Sequence, residues 1–110
     1  MDNETTPKPR LLHVGCGHAK PERLPAVFRG WDEIRLDVDA SVEPDLVTSM
    51  TDIGGIADGS VDAIWSSHNL EHLESHEVPL ALSEWRRVLR PAGIAFMTLP
   101  DLAQVAKLVA

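Results

Sequence analysis

The chain has 110 residues, 44% hydrophobic and 25% charged, a composition typical of a single soluble globular domain. Its formal net charge of −7 argues against binding to nucleic acid or an anionic membrane through bulk electrostatics. Its one cysteine, Cys16, excludes an internal disulfide and predicts a reducing, cytoplasmic compartment. No run approaches the roughly 18 apolar residues of a membrane span.

The predicted elements begin after residues 1–9, which contain two prolines and no apolar run and are expected to form a flexible tail. RLLHV (10–14) predicts a buried strand that ends at a glycine cluster, and a short helix follows it. EIRLDVD (33–39) alternates apolar and charged residues, which predicts a second strand. PDLVTSM (44–50) is a third candidate strand, and VDAIWSS (61–67) predicts a fourth.

The clearest helix signal is an apolar stripe at offsets of 0, 4, 7 and 11 within EVPLALSEWRRVLRP. The stripe consists of Val78, Leu82, Trp85 and Leu89. Pro91 is expected to end this helix. IAFMTL (94–99) predicts a fifth strand, and DLAQVAKLVA (101–110) is expected to start another helix. Because strands alternate with helices or connecting segments, residues 10–110 are predicted to form one α/β domain with a doubly wound, mainly parallel sheet.

A glycine pair follows the first strand in HVGCGHAK. Gly15 and Gly17 allow the backbone to turn sharply and to approach a ligand closely, although a simple tight turn needs the same residues. Asp37 lies 22 residues after Gly15, at the end of the second strand, where a carboxylate can accept hydrogen bonds from ribose hydroxyls. Together these features predict an adenosine-containing ligand. Lys20 stands where the dinucleotide fingerprint needs a third glycine, and the P-loop pattern is absent.

Five segments, in order and at suitable spacing, resemble the class I S-adenosylmethionine-dependent methyltransferases, especially the small bacterial methyltransferase-domain type. They are LLHVGCGHA, RLDVD, EPDLVTSMTDI, DGSVDAIWSSHNLEHL and ALSEWRRVLRPAGIAFMTLP, and they run from about Arg10 to Leu102. The resemblance implies a Rossmann-like fold and S-adenosylmethionine as the cofactor. It also implies methyl transfer to an acceptor, most simply a small molecule, that the sequence does not identify.

The resemblance assigns cofactor-binding roles to the first two of these segments. Gly15 and Gly17 would lie against the methionine moiety of the cofactor. Cys16 would be a small residue of the same loop and not a nucleophile, because nothing in the sequence suggests an activating neighbour. Asp37 would bind the ribose hydroxyls.

The later segments complete the implied site. Ser49 and Met50 would flank the adenine, with the Met50 backbone amide as a partner for a ring nitrogen. Ser67 and His68 would line the cleft near the sulfonium. His68 is also a candidate general base toward a substrate hydroxyl or amine, because imidazole titrates near neutrality.

Three positions depart from the family pattern. His13 replaces an acid that helps to hold the methionine amino group, Ala19 replaces the third glycine, and Ser49 stands where an aspartate often binds the adenine amine. Losing a charge-assisted hydrogen bond costs about 1.5–3 kcal/mol. These residues therefore predict weakened binding of the cofactor.

The segment HNLEH (68–72) matches the H-x-x-E-H pattern of one class of zinc protease. Zinc binding in that manner needs His68 and His72 on one helical face, whereas a loop is expected directly after the fourth strand. The segment is also similar to an E-x-x-E-H loop that binds a divalent metal in some O-methyltransferases, but His68 replaces the first glutamate, and hard cations prefer oxygen. We therefore expect no metal here, with Glu71 and His72 capping or pinning the next helix.

The family core has seven strands, and the sequence predicts about five. The fold is therefore expected to be incomplete, either as a truncation or fragment or with a second copy or partner chain covering the apolar edge of the fifth strand. The alternative to a methyltransferase is a non-catalytic remnant, a binding or interaction module that keeps the cofactor fold without its substrate half.

Overall fold

The computed structural model describes residues 8–18, 24–67, 69–98 and 106–109. The strands within these residues are β1 Arg10–Val14, β2 Asp32–Asp37, β3 Leu46–Val47, β4 Val61–Ser67, β5 Leu89–Thr98 and β6 Ala106–Val109. They form one sheet in the order β3-β2-β1-β4-β5-β6. The first five strands are parallel, and β6 is antiparallel to β5. The predicted Rossmann-like, mainly parallel sheet is confirmed.

One α-helix, α1 Val78–Val88, connects β4 to β5 within the described residues. Of its predicted apolar stripe, Trp85 is completely buried and Leu82 packs partly buried against the core, while Ala81 and Val88 complete the buried face of the helix. The helix ends at Val88 and not at Pro91, because Leu89 already pairs with Val61 as the first residue of β5. Shorter 3-10 turns occupy Ala26–Phe28, Ala40–Val42 and Leu70–His72. Among the described residues, no helix is both long enough and apolar enough to span a bilayer.

The sheet has a hydrophobic core on each face. The larger core lies under α1 and includes Leu12, Val14, Ile64 and Trp85. On the opposite face a smaller cluster contains Leu11, Leu24, Phe28 and Ala63, with partly buried Trp31, Trp65 and Phe96 against it. Successive side chains of a strand point to opposite faces, so the continuous apolar run of β1 supplies both cores. This explains why β1 is buried along most of its length.

The sixth strand corrects the sequence prediction at the end of the chain. A helix was expected over 101–110, but residues 106–109 form β6, which pairs with β5 from Ile94↔Val109 to Met97↔Ala106. The rest of that segment lies outside the described residues. A short apolar run does not distinguish helix from strand, and here the unpaired backbone groups of β5 favour the strand. The edge of β5 is therefore covered by the chain itself over 94–97, whereas the sequence analysis had offered a second copy or a partner chain as one alternative for this edge.

Arg87 ties α1 to the connection between β3 and β4. Its Nε and Nη2 atoms donate to the two carboxylate oxygens of Glu84, each at 2.9 Å. Nη1 donates to Asp58 Oδ1 at 2.7 Å and to the Ile56 carbonyl at 3.0 Å. Nη2 also donates to the Ile53 carbonyl at 2.8 Å. The hydrogen bonds that Arg87 donates lower the pKa of Glu84, and the acceptance of these bonds by Glu84 and Asp58 raises the pKa of Arg87, so both groups stay charged at neutral pH.

We predict that Arg87→Ala lowers the free energy of unfolding by about 2 kcal/mol, because it removes the counter-charge of Glu84 and the side-chain donor of two loop carbonyls. Arg87→Lys should recover only a small part, since an ammonium cannot reproduce the planar fork. Urea unfolding measures both. Arg86→Ala, at an exposed position of the same helix, is the control and should change stability by less than about 0.5 kcal/mol. Equal effects of the substitutions at 86 and 87 would contradict this role.

A second prediction concerns a strained turn at the start of β5, where residues 90–93 bulge opposite Asp62. Ala92 adopts φ +65°, a left-handed conformation that disfavours a side chain. Ala92→Gly should therefore stabilise the fold by about 0.5–1 kcal/mol, after allowing for the greater entropy of glycine in the unfolded chain. Thermal unfolding measures the change. Ala57→Gly, at an exposed residue without positive φ, should instead destabilise. A loss of stability in Ala92→Gly would refute the strain.

Candidate functional site

A cavity of about 280 Å³ opens where four parallel strands end. Each of the segments that follow β1, β2, β3 and β4 contributes to its wall. The lining residues are Gly15, Leu36, Asp37, Val38, Thr48, Ser49, Met50, Asn69, His72 and Leu73. Because the strand order reverses between β1 and β4, this is the edge at which doubly wound sheets bind ligands. The cavity brings together four residues predicted from the sequence, namely Gly15, Asp37, Ser49 and Met50.

The loop after β1 requires both of its glycines. Gly15 and Gly17 have φ values of +65° and +53°, which L side chains rarely adopt. A Cβ atom on Gly15 would also overlap the side-chain amide of Asn69. The Cys16 N–H donates to the Leu36 carbonyl at 3.0 Å, so the loop extends the pairing of β1 with β2.

Asp37 ends β2 and lies on the cavity wall. Its Oδ2 atom accepts from the Gly17 N–H at 2.8 Å, and its Oδ1 atom accepts from the Asp39 N–H at 3.0 Å. Each carboxylate oxygen has more than one lone pair, so both can still accept a hydroxyl. The two backbone donors therefore fix the orientation of the carboxylate and leave it able to bind a ligand.

Cys16 is 2% exposed, and burial raises the pKa of its thiol. A thiol protonated at neutral pH is a poor nucleophile, and Cys16 is not among the residues that line the cavity, so its predicted cofactor-binding role stays a prediction. Ser67 lies at the exposed end of β4, where it accepts a hydrogen bond from the Thr98 hydroxyl at 3.2 Å. His68, the candidate base, lies outside the described residues.

The segment between β3 and β4 contributes a polar residue and an apolar one. The Ser49 hydroxyl shares a hydrogen bond of 2.8 Å with the Thr51 hydroxyl and accepts from the Thr51 N–H at 3.1 Å. Ser49 is thus engaged within its own turn. Met50 packs against the larger core and presents an apolar surface to the cavity.

Asn69 is a site residue that the sequence analysis missed. Its Nδ2 atom donates to the Val14 carbonyl at 2.8 Å and to the Ser66 hydroxyl at 2.9 Å, which joins the ends of β1 and β4. An asparagine two residues after an apolar strand was a usable signal, because such side chains bond to nearby backbone groups. The sequence analysis instead considered the histidines and the glutamate of the same segment, which resemble metal ligands.

The remainder of the HNLEH segment is a 3-10 turn, Leu70–His72, and not part of an α-helix. His72 lines the cavity with its side chain 77% exposed, and its Nε2 atom lies 3.8 Å from Glu71 Oε2. Among the residues that the structure describes, no three histidine, cysteine, aspartate or glutamate side chains lie close enough to hold a metal. His72 is part of the cavity wall, and its role in capping or pinning the next helix stays a prediction.

His13 lies beneath the glycine loop on β1 and is almost completely buried. Its Nδ1 atom lies 2.7 Å from Glu33 Oε2. Burial is the largest influence on this imidazole and lowers its pKa, although the hydrogen bond with Glu33 opposes the shift. His13 is therefore neutral at pH 7, and because a carboxylate can only accept, the proton of the ring is on Nδ1.

A parallel sheet with a glycine loop after its first strand and a carboxylate at the end of its second defines a nucleotide-binding class of the doubly wound fold. Within that class, the model of a family described as a methyltransferase domain matches residues 12–97. The chain belongs to this methyltransferase domain family, as the five sequence segments predicted.

Several solved structures share the fold of this chain. One is a SAM-dependent methyltransferase from Archaeoglobus fulgidus (TM-score 0.70, 20% identity over 86% of this chain and 46% of that one). Another is the PH0226 protein from Pyrococcus horikoshii OT3 (TM-score 0.70, 22% identity, 88% of this chain and 48% of that one). The cyclase SpnF also matches (TM-score 0.66, 26% identity, 84% of this chain and 39% of that one). The chain spans less than half the length of each. No curated protein matches it significantly in sequence.

The buried imidazole of His13 predicts a pH dependence of stability. Its pKa is lower in the folded state than its ordinary value of 6.5, so the unfolded chain binds the proton more readily. This contribution is complete above pH 6.5 and is lost as the pH falls toward the folded-state pKa. His13→Asn keeps a donor near Glu33 without titrating, so its stability should fall less between about pH 7.5 and pH 5.5. Urea unfolding at both pH values tests this, and equal losses in the two proteins would contradict it.

Proposed function

We propose that the chain is the cofactor-binding part of an S-adenosylmethionine-dependent methyltransferase that acts on a small-molecule acceptor. The observation that carries the proposal is that Gly15, Asp37 and Met50 line one cavity, in a chain that belongs to the methyltransferase domain family. The acceptor itself is not identified, because this fold serves many nucleophiles. The single buried cysteine supports a cytoplasmic location.

The residues of the cavity suit an adenosine group. The free lone pairs of Asp37 would accept the ribose hydroxyls, and the apolar surfaces of Leu36, Met50 and Leu73 would contact the adenine ring. A volume of about 280 Å³ lies just below the range of roughly 300–1,000 Å³ for ligand pockets, which fits a nucleoside better than a larger dinucleotide. Gly15 and Gly17 would leave room for the methionine end to approach the backbone.

The bound cofactor would supply an electrophilic methyl group on its sulfonium, and the protein would align the acceptor with it. The hydroxyls of Ser67 and Thr98, at the ends of β4 and β5, support an acceptor subsite at that part of the edge. His68 follows Ser67 directly and is proposed as the base where the acceptor must lose a proton. Methyl transfer often needs alignment alone, so this base is the more dispensable element.

Calorimetric titration with S-adenosylhomocysteine, the product form of the cofactor, tests the proposal. The unaltered chain should bind it, and Asp37→Asn should weaken binding about 10- to 100-fold, since a charged acceptor of two hydroxyls is lost. Asp32→Asn is the matched control: it changes the same charge on the same strand, at an exposed position of the opposite end, and should leave the affinity within about 2-fold.

Three outcomes are informative. Absence of binding at millimolar ligand would refute the cofactor assignment. Equal affinity in Asp37→Asn and the unaltered chain would refute the role of Asp37. Binding without methyl transfer to any acceptor tested would favour the non-catalytic module.

A further inference from the structure

The strand β2 directs three charged side chains toward the glycine loop. Glu33, Arg35 and Asp37 are alternate residues of this strand, so their side chains lie on one face. The side chains of Glu33 and Arg35 are only 12% and 22% exposed. Charges buried to this extent are costly unless they are paired and hydrogen-bonded.

Two residues of this row, Asp37 and Arg35, form hydrogen bonds with the backbone of Gly17. The Gly17 N–H donates to Asp37 Oδ2 at 2.8 Å, and the Gly17 carbonyl accepts from Arg35 Nη2 at 3.1 Å. Both peptide groups of this glycine are therefore held by side chains of β2.

Arg35 is itself held from the opposite side. Its Nη1 atom donates to Glu33 Oε2 at 3.0 Å, and the same oxygen accepts from His13 Nδ1 at 2.7 Å. The guanidinium is planar, and its donors have a fixed relative geometry. An orientation set by Glu33 therefore also sets the direction of the donor that reaches Gly17.

We propose that Arg35 is a positioning residue that holds the Gly17 carbonyl, and through it the glycine loop, in place for ligand binding, with Glu33 and His13 fixing the guanidinium. Glycine loses more conformational freedom on ordering than any other residue, so a loop held in advance binds its ligand with a smaller entropy loss. Arg35 is not among the residues that line the cavity, and it acts through the loop. Its effect on cofactor affinity rests on the proposed function, whereas its effect on the loop does not.

A purely structural role for Arg35 is the competing explanation, in which its charge only balances the buried Glu33. Two variants separate the roles. Arg35→Met removes every donor. Arg35→Lys keeps a positive charge near Glu33, but a single ammonium cannot bond to Glu33 and to the Gly17 carbonyl in the geometry of the fork. Arg86→Met, at an exposed position of α1, is the matched control for losing an arginine.

The measurements are hydrogen exchange of the Gly17 amide in the free protein, affinity for S-adenosylhomocysteine, and thermal unfolding. In Arg35→Lys we expect Gly17 exchange about 10-fold faster and affinity about 5- to 10-fold weaker, with a melting temperature close to that of the unaltered chain. Arg35→Met should show the same losses with lower stability, and Arg86→Met should show neither loss.

A Gly17 amide that exchanges in Arg35→Lys at the rate of the unaltered chain would overturn the proposal. A positive charge at position 35 would then be enough to order the loop. If Arg35→Met does not fold, Arg35→Lys still decides between the two roles. If the unaltered chain does not bind S-adenosylhomocysteine, the proposed function fails, but the exchange of Gly17 still tests the positioning role.

Discussion

The structure depends on the burial of β1 between two parallel neighbours. β1 pairs with β2 on one side and with β4 on the other, and its side chains enter both hydrophobic cores. A strand buried in this way has no freedom to shift its register, because a shift of one residue would exchange its two faces. The loop that follows β1 is therefore fixed at the edge where β2 and β4 also end. Gly15 and Asp37 reach the same cavity for this reason.

Asn69 and the row of charges on β2 hold the glycine loop from two directions. Asn69 reaches back from the β4 side to the carbonyl that ends β1, and its amide lies against Gly15. From the β2 side, Asp37 and Arg35 hold the two peptide groups of Gly17. Two glycines make the loop intrinsically mobile, so its order in the folded protein has to come from such external hydrogen bonds.

The elements that could be predicted from the sequence are those whose signal is local. The strands β1 and β4 have the predicted bounds, since short apolar runs between turn residues are typical of buried parallel strands. Asp37 was predicted from its spacing after Gly15 and its place at the end of the second strand, and it lines the cavity. By contrast, β6 is a strand because β5 offers it a partner, and the residues 106–109 carry no local pattern that distinguishes this from a helix. Asn69 and Arg35 were missed for a similar reason, because their partners lie 55 and 18 residues away.

The contacts of His13 and Ser49 change how two departures from the family pattern are interpreted. At position 13 an acid was expected, and its replacement by histidine predicted a lost contact to the cofactor. In the structure His13 is buried, neutral and bonded to Glu33, so a carboxylate is still present beneath the loop, supplied by β2 instead of β1. Ser49 is engaged by Thr51, so under the proposed function the adenine would be held by apolar contact and by backbone groups. Apolar contact stabilises a ring without recognising its amino group. If the proposed function holds, affinity at this site should therefore depend more on Asp37 and on the order of the glycine loop than on recognition of the base.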